Sequence, residues 1–385
     1  MGGVNFRTCP SALSRYNGEM SPHPLIQDIP FQKPLIRWFQ RYQERLPWRA
    51  TQDPYKIWVS EIMLQQTTVN TVIPYYKRFI HEFPDCHRLA AASLEDVLKI
   101  WSGLGYYSRA RNLHQGARYV VGHLQGRLPN DPEVLQKIPG IGRYSAGAIA
   151  SIAFQKPVPL VDGNVIRVYS RLFWIDKDIK KHQKYYWDVA EQVMPPDFPG
   201  DFNQGLMELG RRVCTPTKPT CLLCPLRPYC RAVARGNPEA LPKKIFRNPS
   251  HPVTMGVALI CDQGRFLMVQ RQGKTVLKDM WEFPMLATTK EKLSPKTITN
   301  NIVHEWQLKT EVIKMLPALK HSIMNQRITL LPFVLHLCEK TRKRKEWQWI
   351  KPDQIHHIAT SSMNKKVLGA LSQSFSTGGQ DGHYF

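Results

Sequence analysis

The sequence predicts a multidomain chain: a mostly α-helical domain that ends in a cysteine-rich loop, followed by a smaller α/β domain. Three observations carry that reading. Helical periodicity runs from about Pro34 to Cys230, with starts at Asp53-Pro54, Ser93-Leu94 and Asp131-Pro132, where an oxygen-bearing side chain precedes the first helical residue and proline twice occupies it. Residues 235–252 then bring Gly236, Pro238, Pro242, Pro249 and Pro252 in among Lys243, Lys244 and Arg247, the composition of a linker. Beyond it the chain changes to short apolar runs at 257–261, 266–269 and 330–337, which read as strands. At 385 residues there is room for two or three domains.

The charge balance narrows the partner. Lysine and arginine number 53 against 30 acidic residues, a formal charge of +23. Phosphate backbone is the partner such an excess implies, with salt-sensitive binding; a protein lying on anionic lipid is the plainer alternative. No apolar run is long enough to span a bilayer, so a membrane protein is not expected. Residues 1–24 are polar and irregular, with no apolar stretch resembling an export signal. They read as disordered, or as preceding the true start, for which Met20 is a candidate. Cys86, Cys261 and Cys338 are scattered like ordinary buried thiols, which fits a reducing intracellular compartment.

The remaining cysteines are not scattered. Cys214, Cys221, Cys224 and Cys230 follow C-x6-C-x2-C-x5-C, a set too tight for independent core thiols. Two readings compete, a [4Fe–4S] cluster and a structural zinc site. Zinc sites usually pair two C-x2-C knuckles and only one is present, so the iron–sulfur reading is favoured. Disulfides are disfavoured because Cys221 and Cys224 are too close to span anything useful. Arg211, Arg212, Lys218, Arg227 and Arg231 edge the stretch. A cluster inside that positive collar suits a rigid template for a polyanion better than an electron carrier.

Upstream, Ile138-Pro139-Gly140-Ile141-Gly142 joins one helical pattern to the next, which runs from Ser145 to Ala153. Gly140 and Gly142 let backbone N–H groups approach a phosphate, and the following helix offers its positive N-terminus. The segment resembles the helix–hairpin–helix of DNA repair enzymes; a plain helix–helix turn is the alternative.

Two carboxylates stand in unlike surroundings. Glu61 lies on the helix that opens at Asp53-Pro54 and shares a face with Ile57, Leu64 and Gln65. Apolar neighbours should raise its pKa and suit it to donate a proton, although an interhelical salt bridge would use the same position. Asp162 ends the apolar run 158–161 at the start of a helix, where N–H groups and the helix dipole favour the ionised form; simple capping is the alternative. An acid for a leaving group and an anion for an oxocarbenium ion are what breaking a glycosidic bond requires.

Taken in order, these motifs resemble the MutY family of adenine DNA glycosylases, within the helix–hairpin–helix superfamily that includes endonuclease III. The resemblance covers nearly the whole chain from about residue 34. It rests on Leu46-Pro47-Trp48-Arg49, the Glu61 helix ending Leu64-Gln65-Gln66-Thr67, Gly103-Leu104-Gly105-Tyr106-Tyr107, the hairpin, Val161-Asp162-Gly163-Asn164-Val165 and the cysteine quartet. Bifunctional relatives carry a nucleophilic lysine directly after the hairpin; Tyr144-Ser145 stand there instead, so lyase chemistry is not expected.

The resemblance implies a role for each matched position. Glu61 protonates adenine at N7 and then handles the incoming water. Asp162 stabilises or traps the sugar cation, Asn164 orients the carboxylates, and Tyr144 supports the same charge development. Arg49, Leu64 and Gln204 line the adenine pocket, while Tyr106 and Gln66 wedge into the stack left by the extruded base. Cys214, Cys221, Cys224 and Cys230 hold a [4Fe–4S] cluster with a structural task. The implied division is a six-helix barrel-type subdomain over about 54–162 and an iron–sulfur subdomain from 25–53 and 163–234. The implied partner is double-stranded DNA with an A:8-oxoguanine or A:G mispair, acted on by a monomer. The compact chain points to a bacterial cytoplasm at the nucleoid, with a nucleus or organelle as the alternative. Two rival functions are another mismatch glycosylase of the superfamily and a non-catalytic iron–sulfur DNA-binding protein.

Past the 235–252 linker, residues 253–371 resemble a Nudix-type domain, opening with 256–284 and its Trp281-Glu282-Phe283-Pro284. Nudix hydrolases carry a dense Arg/Glu box for Mg²⁺ after this point, but residues 290–307 hold only Glu291 and Glu305 as acids, so the fold without the hydrolase chemistry is expected. In the MutY family this domain reads 8-oxoguanine with a Phe-Ser-His loop. Here Ile323-Met324-Asn325 occupy those positions. Asn325 offers an amide and Ser322, just upstream with His321, a hydroxyl. The basic residues between 340 and 345 read as a solvated hairpin, and residues 372–385 as a disordered tail.

Overall fold

The computed structural model describes residues 29–243, 251–273, 277–288, 293–323, 326–339 and 344–376. The expected disordered N-terminus, the middle of the linker, Met324 and Asn325, most of the basic run near 340 and the chain after Ser376 lie outside the described residues.

The helical domain contains α1 (Gln32–Tyr42), α2 (Pro54–Leu64), α3 (Val69–Glu82), α4 (Cys86–Ala91), α5 (Leu94–Trp101), α6 (Ser108–His123), α7 (Pro132–Leu135), α8 (Arg143–Phe154), α9 (Gly163–Leu172), α10 (Gln183–Gln192), α11 (Pro199–Arg212) and α12 (Arg231–Ala234). Helices start where the sequence supplies caps. Asp53 accepts from the Tyr55 N–H at α2, Ser93 from Asp96 at α5, and Asp131 from Glu133 and Val134 at α7. Two apolar cores form. Trp58, Phe79, Trp101, Leu113 and Ile149 belong to one; Phe31, Leu35, Tyr169, Phe202 and Leu206 belong to the other. Helix α8 feeds both, Ile149 into the first and Ala148 into the second, so the segment after the Pro-Gly hairpin is the seam between them.

The second domain is an eight-stranded mixed sheet built from β1 (His251–Asp262), β2 (Arg265–Gln270), β3 (Trp281–Glu282), β4 (Met285–Thr288), β5 (Thr310–Met315), β6 (Leu319–Ile323), β7 (Gln326–Leu337) and β8 (Trp347–Ile350), with α13 (Pro295–Trp306) and α14 (Ser362–Ser376). Its spine is the parallel pair β1–β7, in register from His251 opposite Gln326 to Cys261 opposite His336. Side chains on β1 alternate between faces. Ala258 and Ile260 pack with Ile298 and Ile302 of α13, while Val257 and Leu259 share a cluster with Val367, Leu368 and Leu371 of α14. Helices on both faces explain why 257–261 is a continuous apolar run rather than an alternating one. The α14 face is continuous with the first helical core.

Two expected boundaries shift. The linker was expected from residue 235, yet the helical domain holds the chain to Lys243: Leu241 is buried, its carbonyl accepts from Arg171 Nε at 2.8 Å, and Lys243 pairs with Asp176 at 2.9 Å. Its last two residues, His251 and Pro252, already belong to β1. The tail was expected from residue 372, but α14 runs to Ser376, because buried Leu368 and Leu371 anchor its final turns despite the Ser- and Gln-rich composition.

Candidate active site

Glu61 sits on the second turn of α2, a helix whose residues are buried almost without interruption from Tyr55 to Met63. The carboxyl is 5% exposed, and Oε2 accepts a hydrogen bond from the Tyr144 hydroxyl at 2.8 Å. Burial pushes its pKa up to about 7; the Tyr144 hydrogen bond pulls back, Asp162 adds to the rise and Arg49 opposes it. Tyr144 stands on the first turn of α8, directly after the hairpin, and burial together with Glu61 and Asp162 holds its hydroxyl well above the ordinary range. Its hydroxyl also meets Met207 Sδ at 3.1 Å.

Asp162 caps α9. One oxygen accepts from the Val165 N–H at 2.8 Å, and the other accepts from Asn164 Nδ2 at 2.8 Å. Asn164 is itself held, its Oδ1 accepting from Arg167 Nη2 at 2.9 Å. Arg167 reaches on to the carbonyls of Gly210, at 2.6 Å, and Cys214, at 2.7 Å. Capping and a place in the cleft are therefore compatible for Asp162.

Glu61, Asp162, Asn164 and Tyr144 line one cleft of ≈ 900 Å³. Arg49, Leu64, Gln66 and Gln204 line it too. Arg49, in a turn at Pro47–Arg49, pairs with Glu208 at 2.9 Å and lies over the Phe39 ring. Burial would raise the Glu208 carboxyl, but hydrogen bonds from Arg211 and Arg49 win and hold it below its ordinary value.

Other expected residues lie outside the cleft lining. Tyr106 is 43% exposed with φ +48°, in a turn before α6. Gln66 shares that left-handed conformation, at φ +55°. Gly140 has φ +85° and Gly142 caps α8, and neither lines the cleft. Only glycine takes the Gly140 conformation without strain, and an added Cβ would meet Asn112 at 2.8 Å. Ser322 lies exposed on β6, opposite Arg327 of β7.

The four cysteines surround the C-terminal end of α11. Cys214 follows the helix, Cys221 and Cys224 flank a single turn, and Cys230 precedes α12. None is in a disulfide. Burial pushes the Cys224 thiol up to about 12, with Cys214, Cys230 and Cys221 adding to the rise. Among the described residues, no three Cys, His, Asp or Glu side chains close to the separation a single ion needs. Four thiols are a donor set that an iron–sulfur cluster or a zinc ion can take. Buried Arg171 ties this loop to α9, donating to Cys214 Sγ at 3.4 Å, Thr215 O at 2.7 Å and Pro216 O at 3.0 Å.

Comparison with known proteins agrees with both domains. Residues 59–192 match the HhH-GPD superfamily base excision DNA repair protein family, and residues 256–370 match a NUDIX domain. The adenine DNA glycosylase of Rattus norvegicus is 35% identical over 91% of this chain and 80% of its own. That of Homo sapiens is 33% identical over 93% and 79%, and that of Buchnera aphidicola from Acyrthosiphon pisum 33% over 88% and 96%. The chain belongs to the adenine DNA glycosylase family. It is thus a DNA glycosylase of base excision repair, with the helix–hairpin–helix and Nudix-like domains expected of it. Among solved structures, a thermostable thymine-DNA glycosylase aligns at a TM-score of 0.50 and 29% identity, covering 53% of this chain and 95% of that one. Among the described residues, no helix is long and apolar enough to cross a membrane.

Sequence reasoning missed three partners, of which Glu208 and Arg109 are buried and Arg167 is half-buried. Glu208 was signalled by Arg211 and Arg212, three and four residues on, which do pair with it at 2.7 and 3.3 Å. Arg167 was signalled by Asn164, three residues before it on α9, to which it donates. Arg109 is 8% exposed and gathers the carbonyls of Ile62, at 3.0 Å, Met63, at 2.8 Å, and Gln65 at the end of α2, with Thr67 Oγ1 at 3.1 Å. Its partners come from distant sequence, so no spacing rule finds them.

Proposed function

We propose that this chain hydrolyses the N-glycosidic bond of adenine mispaired with 8-oxoguanine, or with guanine, in duplex DNA. The observation that carries the reading is a protonatable buried carboxyl, Glu61, sharing one cleft with the capped carboxylate Asp162. With the adenine extruded into the cleft, Glu61 delivers its proton to N7, the C1′–N9 bond breaks, and neutral adenine leaves. The oxocarbenium ion forms against Asp162, whose second oxygen is steadied by Asn164. Glu61, now an anion, takes a proton from the water that adds to C1′ and is reset. Tyr144 orients Glu61 and, with its own proton held firmly, serves as a donor and not a base.

Arg49, Leu64 and Gln204 shape the base pocket, and Tyr106 and Gln66 fill the vacated stack. The hairpin at Gly140 and Gly142 grips backbone phosphate. Cys214, Cys221, Cys224 and Cys230 would hold a [4Fe–4S] cluster, which supplies rigidity to the basic loop. The protein as isolated is then brown, with broad absorption near about 400 nm. Ser322, on β6, and Asn325 are the side chains that the family resemblance assigns to reading the opposite base. The enzyme works as a monomer where DNA is housed, in a bacterial cytoplasm or in a nucleus or organelle.

Single-turnover cleavage of duplexes with A opposite 8-oxoguanine, G and C tests the proposal. Excision fastest opposite 8-oxoguanine and slowest opposite C is expected. Excision of thymine but not adenine, or binding without any excision, would overturn it.

A further inference from the structure

The turn that carries Tyr106 is held by the other domain. Ser102 Oγ donates to the Thr360 carbonyl at 2.7 Å, and the Tyr107 hydroxyl donates to the same oxygen at 3.3 Å. Lys365 Nζ donates to the Ser102 carbonyl at 3.2 Å, and the Gly103 N–H donates to the Tyr107 oxygen at 3.1 Å. Between these anchors the backbone is left-handed at Gly103, Gly105 and Tyr106, with φ of +104°, +75° and +48°. A Cβ on Gly103 would lie 2.3 Å from the Tyr75 hydroxyl, so the turn has no slack there. On its inner side Arg109 donates to Gly105 O at 3.2 Å and Tyr106 O at 3.4 Å while holding the end of α2.

The next lysine on α14 points elsewhere. Lys366 Nζ donates to the Lys320 carbonyl at 3.1 Å, on the strand β6 that carries Ser322. The start of α14 is fixed in its own domain, with Thr360 Oγ1 donating to Trp281 O at 2.8 Å and Asn364 Nδ2 to the same oxygen at 3.3 Å. One helical turn therefore grips two surfaces, the Ser322 strand through Lys366 and the wedge turn through Lys365.

We propose that α14 couples these surfaces, so that engagement of the opposite base by the C-terminal domain seats Tyr106, with Lys365 and Lys366 as positioning residues. The inference rests on the function proposed above. Coupling of this kind is reciprocal: a wedge held in place also strengthens reading of the opposite base. A contiguous set of contacts is a route for coupling and not a measurement of it, so the test must read the coupling itself.

The experiment compares wild type, Lys365→Met, Lys366→Met and Lys365→Arg on duplexes carrying A opposite 8-oxoguanine and A opposite G. Single-turnover excision is measured, with 2-aminopurine in place of adenine reporting unstacking. Both methionine variants should lose about tenfold in the ratio of the two rates, keep the A:G rate within about twofold and delay unstacking only opposite 8-oxoguanine, and Lys365→Arg should restore most of the ratio. An unchanged ratio overturns the coupling, as does an equal fall on both duplexes, which marks a merely structural contact. Lys366 is exposed, so its variant carries the prediction even where Lys365→Met folds poorly. A wild type with no preference between the duplexes overturns the coupling, whereas one that releases adenine from neither overturns the functional reading first, in an arm separate from the variants.

Discussion

The surroundings of Glu61 oppose its charge, which is what the proposed acid role requires. A carboxyl titrating near pH 7 keeps about half of its molecules protonated at that pH, whereas an ordinary glutamate is almost wholly ionised. The sign of the pH dependence follows. The acid form is the one that acts, so single-turnover excision should be flat below its pKa and fall by about tenfold per pH unit above about 7. A rate that rises through that window would contradict the assignment. Stability runs the same way: a folded pKa above the unfolded one means stability is present at low pH and is lost as pH rises through about 7. The cap at Asp53 and the Asp-Gly-Asn start of α9 were legible, because capping is local chemistry. The depth of Glu61's burial was not. It depends on α8 closing over α2, and no spacing along α2 carries that information.

At the next level up, Arg109 is where separate pieces of secondary structure meet. It caps the end of the helix that carries Glu61 and fixes the turn that carries Tyr106, with its guanidinium neutralised by carbonyl oxygens and the faces of Trp101 and Tyr106. Removing the charge strands several buried carbonyls, so Arg109→Met should cost about 2–4 kcal/mol of stability by denaturant unfolding and slow excision even where the fold survives. A variant as stable and active as wild type would remove Arg109 from the architecture. Strands β1, β2 and β7 were legible as continuous apolar runs, but the other strands and the order of the sheet were not. The β1–β7 pair joins His251 to Gln326 across a long stretch of chain, and parallel register at that separation is set by packing of α13 and α14 on the two faces. The linker was misread because proline and lysine near 240 looked solvated, while Leu241 among them was a core residue.

The molecule as a whole is a basic body with a cleft between two helical cores and a second domain fastened beside it. Its charge of +23 places the phosphate backbone at the centre of the binding energy. Affinity for undamaged duplex should fall by about 10³ or more between 50 and 200 mM salt if six or more phosphates are contacted, and equilibrium binding across that range checks it. Affinity independent of salt would leave the charge without a role. The preference between opposing bases should be far less salt-dependent than affinity, because discrimination is carried by contacts to the base and not to phosphate.

The most direct measurement is single-turnover adenine release by Glu61→Gln beside its binding to the same mismatched duplex. Glutamine keeps the shape and removes the acid. Release should be abolished while binding to the mismatch persists. Near-normal release from that variant would show that the proton comes from elsewhere.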